Sequence, residues 1–396
     1  MQYGPTPAGV FCSLVCASRM LHVTAGVYLH IPFCRSRCSY CDFATDIYRS
    51  ADGVQRYVSA LCGEIDAFGR SAGSIEIDTI YMGGGTPSLL TPEQAGKVLD
   101  SVRARFKVSS TAEITMEMNP ATVTAEGLSE FRGLGVDRAS FGVQTFDDKM
   151  LRLLARAHDA ADARETFAML RRAGFDNVSF DLIAGLPGQS LADWARNLDE
   201  AVALVPEHLS LYLLEVHEGT PLAEQIRSKR QPRPDDELAA QMYELMVERL
   251  IAAGYEQYEI SNFARPGYES RHNTKYWQMT PVYGFGVSAH SFDGMHRYSN
   301  ERDTAKYVAT IEAGRLPEVI REKTDLASET AFLGLRLENG IDLTDYSTAF
   351  GIDLLDRYQQ DLAPLVESGF VEITGKRLRL TPRGKLFSNE VFEVFV

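Results

Sequence analysis

No run in this chain approaches the length of about 18 apolar residues that a membrane-spanning helix needs, so no such helix is expected. Basic residues are the minority: 40 Lys and Arg against 54 Asp and Glu leave a formal charge of −14. A protein that grips phosphate backbones needs the opposite balance, which argues against nucleic acid as a partner. Cysteine is scarce, six in 396 residues, too few and too clustered for a disulfide framework. The short apolar run at 10–17 has no basic stretch before it and no small-x-small site after it. Residues 1–24 are therefore expected to be a disordered extension rather than a signal peptide, with Met20 as an alternative start. Internal repeats and low-complexity tracts are also missing. Peripheral membrane contact is the most that this composition predicts, and a reducing, cytoplasmic setting is expected.

What is present from residue 26 onward is alternation. Short β-rich runs lie at 26–31, 77–82, 113–118, 137–143, 177–185 and 208–216. Amphipathic segments fall between them, among others at 54–68, 92–105, 160–173 and 191–204. Strand–helix alternation predicts an α/β fold with a parallel sheet and helices outside it. Six units are too few for the eightfold barrel and predict a partial six-unit (β/α) barrel over 25–254. Chemistry in such barrels sits at the C-terminal ends of the strands. After Tyr255 the alternation stops. From Ser328 the pattern reads helix, turn, helix, a two-stranded ribbon with Thr-Gly at its turn, and a last helix. That order predicts a smaller α+β, winged-helix-like domain within a C-terminal region 255–396.

Every chemistry-bearing motif falls at a predicted strand end. Cys34-x3-Cys38-x2-Cys41 follows the first strand. Three thiolates from one loop suit three irons of a [4Fe–4S] cube with the fourth iron open, whereas electron carriers normally use four cysteines. An open iron can chelate the amino and carboxylate groups of S-adenosylmethionine. The alternative is structural zinc, which would need a fourth ligand such as His30 or Asp42. Gly83-Gly84-Gly85 follows the second strand and allows close backbone approach to a ligand; it also suits a tight strand–helix turn. Glu117 and Asn119 close the third strand, Gln144 follows the fourth, and 185–189 follow the fifth. Cys62 on a helical stretch reads as a packed thiol, and Cys12 with Cys16 as an incidental pair.

The runs IPFCRSRCSYCDF, GGGTPS, MEMNP, SFGVQTF, DLIAGLPGQ and HLSLYLLEVHEGTPL together resemble the radical SAM superfamily, and within it the HemN/HemW branch. The likeness runs from about Tyr28 to Phe395. It implies that Cys34, Cys38 and Cys41 hold a [4Fe–4S] cluster. It implies S-adenosylmethionine contacts from Tyr28, Tyr40, Gly84, Gly85, Thr86, Glu117, Gln144, Arg156 and Asp181. The oxidase side of the branch typically carries a further cysteine two positions after the third ligand; here Phe43 stands there. The CDF form and YEISNFARPGYESRHNTKYW at 258–277 resemble the HemW side instead. There His272, Tyr276 and Trp277 match an HNxxYW motif associated with heme. An imidazole is a standard axial ligand, and aromatic rings suit a porphyrin face. The bland alternative is an aromatic turn that packs the tail onto the barrel. His290 is a further possible iron ligand.

The resemblance thus implies a heme chaperone carrying cluster, S-adenosylmethionine and heme. Its partners would be heme and heme-accepting respiratory proteins, with an unidentified electron donor. Three alternatives stay open: oxygen-independent coproporphyrinogen III oxidation in porphyrin biosynthesis, a HemN-like radical SAM methyltransferase, and a zinc-stabilised binding module.

Overall fold

A computed structural model describes residues 24–69 and 75–396; the expected N-terminal extension lies, but for Thr24, outside the described residues. Six strands appear where alternation places them: β1 (Ala25–Ile31), β2 (Glu76–Gly84), β3 (Lys107–Met118), β4 (Arg138–Gln144), β5 (Val178–Ala184) and β6 (His208–Leu213). Each pairs in parallel with the next. Helices between them include α1 (Ala51–Gly69), α2 (Pro92–Arg105), α3 (Ala160–Arg172) and α4 (Leu191–Leu204). The last three start at capping boxes, Thr91 with Gln94, Asp159 with Asp162 and Ser190 with Asp193, where two side chains exchange bonds with backbone donors.

Period-two patterning separates the two faces of the sheet. Val27, Leu29 and Ile31, with Ile80, Met82, Met116, Phe141, Phe180 and Leu211, form one core with the helices. Side chains one residue out of phase with these fill the lumen, and they are polar: Thr79, Glu113, Thr115, Arg138, Ser140, Ser179, His208 and Ser210 are all buried. A parallel sheet buried on both sides usually reads as unbroken apolar sequence. Polar residues on one face are therefore a sign of a lumen with work to do.

The sheet does not stop at Gly254. After α5 (Asp236–Ala252), strands β7 (Glu256–Glu259) and β8 (Asn262–Ala264) extend the β6 edge. After α6 (Arg271–Trp277), β9 (Val282–Phe285) pairs in parallel with β1 on the other edge, Gly26 opposite Val282. Strands β10 (His290–Phe292), β11 (His296–Asn300) and β12 (Glu318–Lys323) continue antiparallel from there, with α7 (Thr304–Glu312) between the last two. The result is one twelve-stranded sheet. A division after 254 thus falls inside it, because local alternation ends there while strand pairing does not. Buried Glu64 of α1 ties this addition in. Its carboxylate accepts from Tyr307 Oη at 2.6 Å, Asn300 Nδ2 at 2.7 Å and Gly286 N at 2.8 Å.

The tail has its own core, with Ala331, Leu335, Ile341, Leu362, Leu378 and Val391 among its members. Its order is helix Leu326–Gly334, strand β13 (Ile341–Asp342), helices Leu343–Phe350 and Gln359–Glu367, then the ribbon β14 (Val371–Thr374) and β15 (Arg377–Leu380). Gly375, at φ 61°, makes the ribbon's turn. A short helix, Leu354–Arg357, precedes Gln359–Glu367, and helices Pro382–Leu386 and Ser388–Phe392 follow the ribbon. The expected winged-helix order of helices, ribbon and closing helix is thus present, with a short strand and an extra helix added.

Candidate cluster and cofactor site

The cysteine loop is pinned at its base and at its tip. Phe33–Cys34 pairs in parallel with Asp46–Ile47, so residues 35–45 leave and return at one place. At the tip, Ser39 N donates to Leu154 O at 2.9 Å and Ser39 Oγ to Leu153 O at 3.0 Å. Cys34, Cys38 and Cys41 are free, half-buried thiols at the wall of one cavity. Among the described residues, no three His, Cys, Asp or Glu side chains converge on one point as ligands of a single ion do.

That cavity gathers most of the residues named from the resemblance: Tyr40, Gly84, Gly85, Thr86, Glu117, Gln144, Arg156 and Asp181 line it. They come from four strand ends and two loops, the geometry expected of a barrel mouth. Tyr28 is not on its wall. It lies deeper in the lumen, stacked on Tyr81 at 6.2 Å, with its hydroxyl 3.0 Å from His30 Nδ1. Gly84 holds φ 107°, a backbone closed to most side chains. A Cβ at Gly85 would come within 2.6 Å of the Pro32 carbonyl, so the GGG run lets strand β2 pass under the cysteine loop.

A hydrogen-bonded relay joins two of the thiols. Thr86 Oγ1 donates to Cys34 Sγ at 3.6 Å and accepts from Asn119 Nδ2 at 2.7 Å. Asn119 Oδ1 accepts from Arg156 Nη2 at 2.5 Å, and Arg156 Nη1 donates to Cys38 Sγ at 3.5 Å. Arg156 also reaches Gly142 O at 2.6 Å. Asn119 is the central link, and sequence reasoning gave it no site role. Its place at the end of β3, two residues after Glu117, was the available signal.

Burial pushes the Cys34 and Cys41 thiols above their ordinary range, with the Thr86 hydroxyl opposing at Cys34 and the Phe43 backbone opposing at Cys41. Bound iron would reverse that preference, since metal ligation takes the deprotonated form. Glu117 is pushed up to about 7, first by burial and then by Asp181. Tyr81 Oη donates to its Oε1 at 2.8 Å and Gly84 N to its Oε2 at 3.0 Å. Asp181 is raised by burial as well, against hydrogen bonds from Ser210 and Ser140. Two buried acids thus share one cavity with the Arg156 guanidinium.

His272, expected as a heme contact, lies apart from the cysteine cavity. It is 1% exposed, inside the barrel at the end opposite the cysteines. Nδ1 lies 2.9 Å from Thr79 Oγ1 and Nε2 lies 3.1 Å from Tyr276 Oη. Burial lowers its pKa to about 3, with Lys275 adding to the effect. The Arg336 guanidinium from the tail lies 4.3 Å over the Trp277 ring, and His272 N and Arg271 N donate to Glu113 of β3. Helix α6 therefore touches both tail and barrel. By contrast His290 is exposed where β10 begins, at the same end of the sheet as the cysteine loop.

Two family models match the chain: the Radical SAM superfamily over residues 28–201 and the HemN C-terminal domain over 322–387. The heme chaperone HemW of Bacillus subtilis is 37% identical over 375 residues, covering 93% of this chain and 98% of its own. HemW of Escherichia coli is 33% identical over 377 residues, covering 93% and 97%. A bovine mitochondrial protein, radical S-adenosyl methionine domain-containing protein 1, is 37% identical over 330 residues, covering 80% and 74%. The solved structure of E. coli coproporphyrinogen III oxidase, HemN, superposes with a TM-score of 0.85 at 24% identity, covering 99% of this chain and 93% of that one. Likeness of this extent, through barrel and tail alike, makes the chain a member of the radical SAM superfamily and, within its HemN/HemW branch, of the HemW family.

Proposed function

We propose that this protein is a heme chaperone of the HemW type that carries a [4Fe–4S] cluster and S-adenosylmethionine and passes heme to respiratory proteins. One observation carries the reading. The three cysteines and eight of the nine residues assigned to S-adenosylmethionine line a single cavity, in a chain alignable end to end with relatives named heme chaperones.

The donor set fits both groups. Cys34, Cys38 and Cys41 would hold three irons, and the Arg156–Asn119–Thr86 relay would steady the first two thiolates. Glu117 and Asp181 would face the cationic end of S-adenosylmethionine, and the backbone at Gly84–Gly85 would lie along it. When bound, a cluster with an open iron supplies one electron for reductive cleavage of the sulfonium. What the protein does is orient that guest and keep its carboxylates ionised once the guest arrives.

His290, exposed at the mouth, is our candidate iron ligand for heme, ahead of His272, which is buried in the lumen. The test is anaerobic reconstitution followed by heme titration. Saturable binding that weakens in His290→Ala and persists in His272→Ala supports the assignment. Absence of specific heme binding overturns the chaperone reading. The protein would then be assayed for protoporphyrinogen formation from coproporphyrinogen III, although Phe43 in place of a cysteine speaks against that activity.

A further inference from the structure

Outside the cofactor cavity, a groove of about 620 Å³ lies on the other side of the cysteine loop. It is lined by the loop's return limb and by the segments that open α1 and α7. Arg37, Phe43 and Thr45 line both spaces, so groove and cofactor cavity share a wall. Two features of this groove are left over from the fold. Phe43 is 65% exposed and Ile47 51% among the described residues. Arg37 and Arg49 have neither a hydrogen-bond nor an ion-pair partner among the described residues, and Arg302 has spent only one donor, on Asp42 O at 3.2 Å. Arg56, by contrast, is neutralised by Glu312. The acidic residues on the wall are Asp46 and Asp303, and Asp303 is committed to capping α7 at Lys306 N.

A chain of charge −14 that sets uncommitted guanidinium groups and a bare aromatic ring around one loop has reserved that spot. Arginine and aromatic side chains are the residues over-represented at the centres of protein interfaces, where charge complementarity sets the rate and orientation of encounter. The loop in question holds the three cysteines, and Phe43 stands two positions after Cys41.

We infer that this groove is the docking surface for an acidic, one-electron carrier protein that reduces the cluster. The inference rests on the cluster-binding reading above. One electron leaves the carrier's reduced flavin or iron centre and enters the cluster, taking it from the 2+ to the 1+ state; no bond forms or breaks. Arg37, Arg49 and Arg302 orient the carrier's acidic rim, and Phe43 makes the apolar contact at its centre. An interface of this kind is small and short-lived, as electron-transfer encounters are.

The test uses the reconstituted protein, reduced flavodoxin as the acidic carrier, and photoreduced deazariboflavin as a small carrier without a docking face. Cluster bleaching is followed by stopped flow, and binding of oxidised flavodoxin by calorimetry. In Arg37→Glu/Arg49→Glu, flavodoxin-driven reduction is expected to slow about tenfold or more at low salt, with the gap closing as salt rises. Calorimetric affinity should fall in parallel, while reduction by deazariboflavin stays unchanged. Phe43→Ala should weaken binding without changing its salt dependence. Equal flavodoxin rates and affinities in variant and parent overturn the docking inference. So does a variant that loses heme binding but keeps flavodoxin kinetics, which would make the groove a heme site. Failure of both carriers to bleach any cluster overturns the cluster reading itself, a result distinct from the other two.

Discussion

Tyr81 hands its phenolic hydrogen to Glu117 at 2.8 Å while its ring stacks on His272 at 5.2 Å. The carboxylate at the mouth is thus aimed from below, by an aromatic column resting on a histidine at the far end of the lumen. Removing only the hydroxyl, in Tyr81→Phe, should weaken S-adenosylmethionine binding by about 1–2 kcal/mol, roughly 5- to 30-fold. His272→Ala should do the same through loss of the stack, whereas cluster absorbance stays at the parent level in both. Calorimetry with S-adenosylmethionine checks this; undiminished affinity in Tyr81→Phe would show that Glu117 needs no such support.

Protonation of Glu117 gives a second expectation. Its carboxyl is held near 7 in the folded chain against an ordinary value of 4.5, first because it is buried and then because Asp181 is close. The folded state therefore holds this proton more tightly than the unfolded chain. Its contribution is fully present below about pH 4.5 and is lost as pH rises through about 7, worth about 3 kcal/mol for a shift of that size. In the ligand-free protein, Glu117→Gln should gain in Tm over the parent as pH goes from 5 to 8. Binding of the ammonium-bearing ligand runs the other way, strengthening through the same interval as Glu117 ionises. A parent and a Gln variant with parallel pH profiles would refute both.

Cys38→Ala should abolish the cluster. The expected readout is loss of bound iron and of the cluster's visible absorbance after anaerobic reconstitution. Arg156→Ala, which leaves all three thiols but breaks the relay through Asn119, should retain iron yet lose it faster to a chelator. A chelation rate equal to that of the parent would remove the relay's assigned purpose.

Glu64→Ala leaves three buried donors, on Tyr307, Asn300 and Gly286, without their acceptor. A loss of about 2–4 kcal/mol of stability is expected, read from urea denaturation. Proteolysis should become easier first in the 286–310 region, because that carboxylate is a buried tie between this part of the chain and α1, beside the bond from Val287 N to Tyr57 Oη.

The six parallel strands were legible because each is a β-rich run capped by a helix start, and the site was legible because barrel chemistry collects at strand ends. What escaped is instructive. Strand β9 is VYGF, four residues with a glycine, too short for a period, and its partner Gly26 lies far away in sequence. Nothing local announces such a pairing. Asn119 is placed by sequence at the end of the third strand but given no partner, because its bonds to Thr86 and Arg156 are made across the barrel. His272 carries the same letters whether its nitrogens meet iron or a threonine, and only burial separates the two cases.

The pairing of β1 with β9 also has a temporal side. On the ribosome, Gly26 to Leu29 emerge early and wait until Val282 to Phe285 have been made before that edge is covered. Until then the nascent chain shows an apolar strand with free backbone donors and acceptors, the sort of edge that recruits a neighbour's strand. A chain cut shortly after Gly254 would keep that edge open permanently. It should aggregate even though every cysteine and every S-adenosylmethionine contact assigned above lies before the cut.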